Sequence, residues 1–169
     1  MAKLWDDEPL DSHVDAIRLF LERGADVDSM DSNLSTLLHV ALYWGSLELV
    51  QLLLDHGAKV NLQNEKGRTP LHEALIDIHD MFGRRHFDSI HFLLEHGAGV
   101  DTLDNDQSTP LHIASQYGCV KAARLLLEHG ASVHLQNNEG QTPLQVASKG
   151  GHEGVTRLLS EHLKSKGRT

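Results

Sequence analysis

One phrase of eight residues recurs along the chain. "STLLHVAL" from Ser35, "RTPLHEAL" from Arg68, "STPLHIAS" from Ser108 and "QTPLQVAS" from Gln141 place a threonine at positions 36, 69, 109 and 142, in steps of 33, 40 and 33. A second phrase alternates with it: "LFLERGADVDSMD" from Leu19, "LLLDHGAKVNLQN" from Leu52, "FLLEHGAGVDTLD" from Phe92 and "LLLEHGASVHLQN" from Leu125. Self-similarity at this period confines the chain to stacked supersecondary units, because a unit this short cannot bury its own apolar face. The phrases define five units, of which the first and last are incomplete.

Each unit can be read from elementary chemistry. Thr followed by Pro starts a helix, since the threonine hydroxyl caps free N–H groups and proline tolerates the first turn. A turn at Gly45 or Gly118 follows, and then Leu47, Val50, Leu53 and Leu54 recur at helical spacing, which predicts a second helix with one buried stripe. Gly57, Gly97 and Gly130 close those second helices as C-terminal caps. Two short helices and a polar hairpin per unit, stacked on their neighbours, make a solenoid.

The Thr-Pro-Leu-His start, the Leu-Leu-x-x-Gly-Ala close and the 33-residue period resemble ankyrin repeats, over roughly residues 3–163. The resemblance implies an all-α solenoid of stacked helix-turn-helix units with projecting β-hairpin loops, about five repeats in all, and a concave face. The units run 1–28 (an N-terminal capping repeat, partly irregular), 29–61, 62–101, 102–134 and 135–163 (a C-terminal capping repeat), with a flexible basic tail at 164–169. Pro9 and the acidic run beside it fit an interior helix poorly, hence the irregular first cap. Leu34 and Gln107 stand where the other hairpins carry Gly67 and Gly140, which predicts less regular tips in those two hairpins.

Composition narrows the function classes. Fifteen Lys and Arg against 24 Asp and Glu give a net charge of -9, which repels a phosphate backbone, so nucleic acid is not an expected partner. A single cysteine, Cys119, excludes an internal disulfide framework, and no secretory signal pattern opens the chain. The expected setting is intracellular, cytoplasmic or nuclear. Apolar runs such as Leu52 to Leu54 are too short to span a bilayer, so a soluble protein without membrane insertion is expected, as a monomer.

Thirteen histidines invite a metal reading. Alignment of the units sorts ten of them by repeat position: His39, His72 and His112 in the Thr-Pro-Leu-His phrase, His13, His86 and His152 at the start of the second helix, and His56, His96, His129 and His162 before the closing glycine. By the resemblance, the first of these is a partly buried bridge between neighbouring hairpins and helices. The last sits in a helix's final turn, whose dipole favours positive charge. A zinc-protease helix fails at "HEALIDIH", because the place four residues after His72 holds Ile76. A bridge among His79, His86 and His91 stays open, although no tetrahedral ligand set is spelled out. Cys119 lacks a CxxC partner and reads as a small packed or half-exposed thiol. No nucleophile elbow or phosphate-cradling loop appears, so no enzyme, cofactor or metal is expected.

Function is then expected at positions that differ between units. By the resemblance, those before the inter-helix turn and at the hairpin tips line the concave face: Tyr43, Trp44, Ile76, Asp77, Gln116 and Tyr117 on first helices, and Asn33, Arg68, Asp106 and Glu139 on tips. Such a surface suits a protein or peptide partner, with Tyr43, Trp44 and Tyr117 as anchors, because rigid aromatics bury large area at low entropic cost. Either ring of the Tyr43–Trp44 pair could instead pack beneath a neighbour. Acidic balance favours a partner carrying Lys or Arg.

Two further expectations concern single places. Asp28, Asn61, Asp101 and His134 share one hairpin position, and Asn61 stands as the only asparagine among them. In similar ankyrin repeats that asparagine can be β-hydroxylated; an Asn or Asp there can also simply hydrogen-bond within its hairpin. The 40-residue step adds seven residues to the third unit, somewhere from Ile78 to Arg85, which either lengthens its first helix or forms a protruding loop. Met81, Phe82, Arg84 and Arg85 within it make a second contact site, or the loop is a tolerated surface insertion. The function read from the sequence is a non-catalytic protein-interaction module or scaffold. The alternatives are a regulatory domain of a larger protein, a hydroxylase substrate modified at Asn61 and, more remotely, a metal-binding repeat.

Overall fold

The computed structural model describes residues 10–76 and 84–166, with side chains described over 13–76 and 87–166. The described residues form nine helices. Four are the first helices of units two to five: α2 (Leu37–Tyr43), α4 (Pro70–Ile76), α6 (Pro110–Gln116) and α8 (Pro143–Lys149). Five are second helices: α1 (Leu10–Glu22), α3 (Leu47–Asp55), α5 (Arg84–Glu95), α7 (Val120–Glu128) and α9 (Glu153–Lys166).

First helices pack in the series α2, α4, α6, α8 and second helices in the series α1, α3, α5, α7, α9, while each first helix lies against the second helix of its own unit. The result is two parallel layers with one continuous core between them. Leu38, Leu71 and Leu111 of the repeated phrase are at most 1% exposed, as are Leu53, Leu93 and Leu126 of the second helices. These leucines come from both layers, so each unit completes its neighbour's core.

Local chemistry fixes the ends. The Thr109 and Thr142 hydroxyls accept the N–H of His112 and Gln145, three residues on, and satisfy a donor that the first helical turn leaves free. At the far end of α1, α3, α5 and α7 the chain turns through a left-handed glycine, as at Gly57 (φ 82°), and the following N–H reaches back into the helix, as from Ala58 to Leu53, Ala98 to Leu93 and Ala131 to Leu126.

Three expectations change. The tips at Leu34 and Gln107 are as regular as the others. Both residues take the left-handed conformation (φ 57° and 56°) that Gly67 and Gly140 take at 69° and 70°. What holds them there is the residue opening each hairpin: Asp31 Oδ1 accepts the N–H groups of Asn33 and Ser35, and Asp104 Oδ1 those of Asp106 and Ser108. Two such bonds offset the roughly 1–2 kcal/mol that a side chain costs in this conformation.

At the insertion, the described part of the first helix, α4, has seven residues, as α2, α6 and α8 have. Residues 84–86 extend the second helix at its start, which neither expected form of the insertion included, and α5 has 12 residues against nine in α3 and α7. Residues 77–83 lie outside the described part, and with them the expected contacts at Asp77, Met81 and Phe82. The side chains of Arg84 and Arg85 do so too. At the C-terminus, α9 continues to Lys166, past the expected start of a loose tail at 164. Lys164 and Lys166 in its last turn complement the helix dipole.

Candidate partner-binding face

The histidines of the repeated phrase are scaffold. His39, His72 and His112 are 2%, 0% and 2% exposed, so they are more deeply buried than expected. Each Nδ1 accepts the backbone N–H of the threonine three residues back, at 3.1, 3.2 and 3.1 Å. With Nδ1 accepting, the proton sits on Nε2, which donates to a carbonyl of the next hairpin: Arg68 at 3.0 Å, Ser108 at 3.2 Å and Gln141 at 2.9 Å. One neutral ring thus caps its own helix and ties two units together. Burial lowers the pKa of all three rings, only partly opposed by their carbonyl partners. In the last unit Gln145 takes the capping half of this role, its Oε1 accepting the Thr142 N–H at 2.8 Å.

The histidines before the closing glycines serve the second helices. Nδ1–H of His56, His96 and His129 donates to the carbonyl four residues back, at 2.8, 2.7 and 2.9 Å. Among the described residues no three His, Cys, Asp or Glu side chains converge to hold a metal ion. His79 and the His86 side chain, two members of the His79–His86–His91 bridge, lie outside the described residues. Cys119, half-buried, caps α7 with its backbone alone.

The position shared by Asp28, Asn61 and Asp101 also has a structural duty, between hairpins and not within one. Their Oδ1 atoms accept the N–H groups of Lys59, Gly99 and Ser132, each in the following unit. Asn61 adds a bond from Nδ2 to the Gly97 carbonyl at 3.0 Å, so both ends of its exposed amide are engaged.

Two grooves open between the hairpin tips and the first helices. The first, about 260 Å³, is bordered by Asn33, Val40, Tyr43, Trp44, Glu65 and Glu73. Tyr43 and Trp44 are 52% and 57% exposed, with neither packed beneath a neighbour, and their rings meet edge to face at 88° with centroids 5.8 Å apart. The second groove, about 470 Å³, is bordered by Asp106, Gln116, Glu139, Val146 and Lys149, and Lys149 Nζ binds Glu139 Oε2 across it at 2.9 Å.

The expected contact residues therefore divide. Asn33, Tyr43 and Trp44 come together in the first groove, and Asp106, Gln116 and Glu139 in the second. Ile76 and Tyr117 lie half-buried against the core between them, bordering neither groove. Arg68 turns its guanidinium to the buried carboxylate of Asp104 in the next unit, Nε to Oδ2 3.8 Å. Sequence reasoning missed Glu73. It follows the repeated His, where the other three units carry Val40, Ile113 and Val146, and that break in an aliphatic pattern was the available signal.

Comparison with known proteins agrees with this architecture. The chain matches the ankyrin repeat family in three copies, over residues 10–81, 62–137 and 78–169. It is 52% identical over 62 residues to the mouse B-cell lymphoma 3 protein homolog, covering 36% of this chain and 14% of that protein. Over 44 residues it is 52% identical to human Rabankyrin-5, covering 26% of this chain and 4% of that protein. An ankyrin repeat-containing protein of Schizosaccharomyces pombe is 30% identical over 81 residues, covering 47% of this chain and 39% of that protein. The chain thus spans a minor part of the length of these relatives. With the period, the two helical layers, the histidine ties and the family match in agreement, the chain belongs to the ankyrin repeat family.

Proposed function

We propose that the protein is a non-catalytic interaction module that binds a protein or peptide partner across the concave face made by its first helices and hairpin tips. Ankyrin repeats are in general protein–protein interaction modules. The observation that carries the choice of face is the exposure of Tyr43 and Trp44 beside a groove, while the shared His and Leu of the same helix are buried. Rigid aromatic rings left in water at a groove are the side chains that dominate binding energy when covered.

The test is capture of partners by the intact chain and by two variants. Tyr43→Ala with Trp44→Ala removes the groove's aromatic wall; Gln51→Ala with Lys121→Ala alters exposed positions on the second helices. Loss of a partner with the first variant and retention with the second is expected, both variants unfolding like the parent. The opposite pattern overturns the assignment of the face.

The small share of each relative that this chain covers supports a second reading, a regulatory ankyrin domain acting within a longer protein. Both readings use the same face.

A further inference from the structure

Resting on that reading, we infer that the Tyr43–Trp44 groove takes an arginine side chain of the partner, held by the two rings and by Glu73. Three observations lead there. First, the rings stand at 88° to one another, so their faces border a corner into which a planar cation can stack. Second, the groove is acidic: Asp31, Glu65 and Glu73 border it against one lysine, Lys66. The carboxylates of Glu73 and Asp31 both act on His39 at the floor of the groove, favouring its cationic form against the larger effect of burial. Third, Glu73 is held in place, with Oε1 accepting Asn64 Nδ2–H at 3.0 Å. Its second oxygen is not part of that bond and can accept from a guanidinium.

The second groove shows what this one has that a generic ankyrin surface lacks. No aromatic side chain borders it, and its lysine is already bound to Glu139. Guanidinium fits the first groove better than ammonium does, because it is planar, weakly hydrated and able to stack and donate at once.

The inference is tested without knowledge of the partner. Three blocked tripeptides, acetyl-Gly-Arg-Gly-amide and its lysine and norleucine counterparts, are titrated into the intact chain, and the Trp44 indole N–H and the Glu65 and Glu73 amides are followed by NMR. The arginine peptide is expected to shift these signals with an affinity at least about threefold above norleucine, falling as salt rises. Glu73→Gln, which keeps an acceptor for Asn64, is expected to weaken the arginine peptide about threefold. Trp44→Leu keeps apolar area and is expected to remove the preference for arginine. Equal response to norleucine, tighter binding of lysine, or shifts confined to Gln116 and Lys149 overturn the inference. A partner captured through Tyr43 and Trp44 whose binding ignores salt and Glu73→Gln overturns it too, yet leaves the concave face standing as the binding surface.

Discussion

The two grooves on the hairpin side are built by the same backbone and differ in almost everything else. At the first, helix α2 ends in two exposed aromatic residues, and the neighbouring unit supplies a carboxylate at Glu73. At the second, α6 and α8 end in Gln116 and Lys149, and an ion pair crosses the opening. The hairpin turns beneath them are alike down to their hydrogen bonds: Leu34 N–H to Asp31 at 3.1 Å in one, Gln107 N–H to Asp104 at 3.0 Å in the other. A repeat array therefore separates two tasks within each unit. Buried shared positions specify the stack, and exposed unshared positions give each groove its own chemistry.

The largest expected effect erases the difference between the grooves. Leu71 is fully buried in the middle of the first-helix layer, and Leu71→Ala is expected to cost about 2–5 kcal/mol by leaving a cavity between units. Urea denaturation measures this. Because a solenoid is stabilised by neighbour contacts, binding at both grooves should fall together.

A second perturbation acts on the scaffold through pH. The pKa values of His39, His72 and His112 are lowered in the folded chain, whereas an unfolded histidine titrates near 6.5. The unfolded chain therefore binds more protons below that value. Stability is full above about pH 6.5 and declines as pH falls from there toward the lowered native values. Protonating Nδ1 would also set two donors against each other at the threonine N–H. Gln145 already caps its helix in the place of a histidine, so His39→Gln, His72→Gln and His112→Gln follow a solution present in the chain. Together they should flatten the urea midpoint between about pH 7 and pH 5. An unchanged slope would show that other groups carry the acid response.

Binding should distinguish the grooves by a smaller amount. Trp44→Ala is expected to weaken a partner by about 1.4 kcal/mol, roughly tenfold, in calorimetric titration. Gln116→Ala should weaken it less than about twofold, since peripheral polar contacts contribute little. Smaller still is Lys149→Ala. Its pair with Glu139 is exposed on both sides, and its loss is expected to change stability by under about 1 kcal/mol.

Much of this was legible in the sequence because repetition reveals which residues serve the stack. His39, His72 and His112 could be read as scaffold from their shared place alone, and a buried Leu in each phrase followed from helical spacing. Less legible were features that depend on the next unit. Asn61 bonds to Gly99 across 38 residues, a separation no hairpin pattern displays. Leu34 and Gln107 looked like defects because a side chain in the left-handed region is costly; the aspartates that hold those turns lie three residues earlier. Glu73 stood in plain view at a position read as ordinary helix, and only the folded chain brings it beside Tyr43 and Trp44. The insertion could be located by counting, but counting alone does not show that residues 84–86 join α5.

The central claim is that the exposed, unshared residues of the first groove carry recognition while the shared residues carry the fold. The most direct test is an NMR map of amide shifts in the intact chain on adding a captured partner. The expected footprint centres on Asn33, Tyr43, Trp44, Glu65 and Glu73. A footprint on the exposed outer positions Gln51, Lys121 and Arg124, with the groove silent, would contradict it.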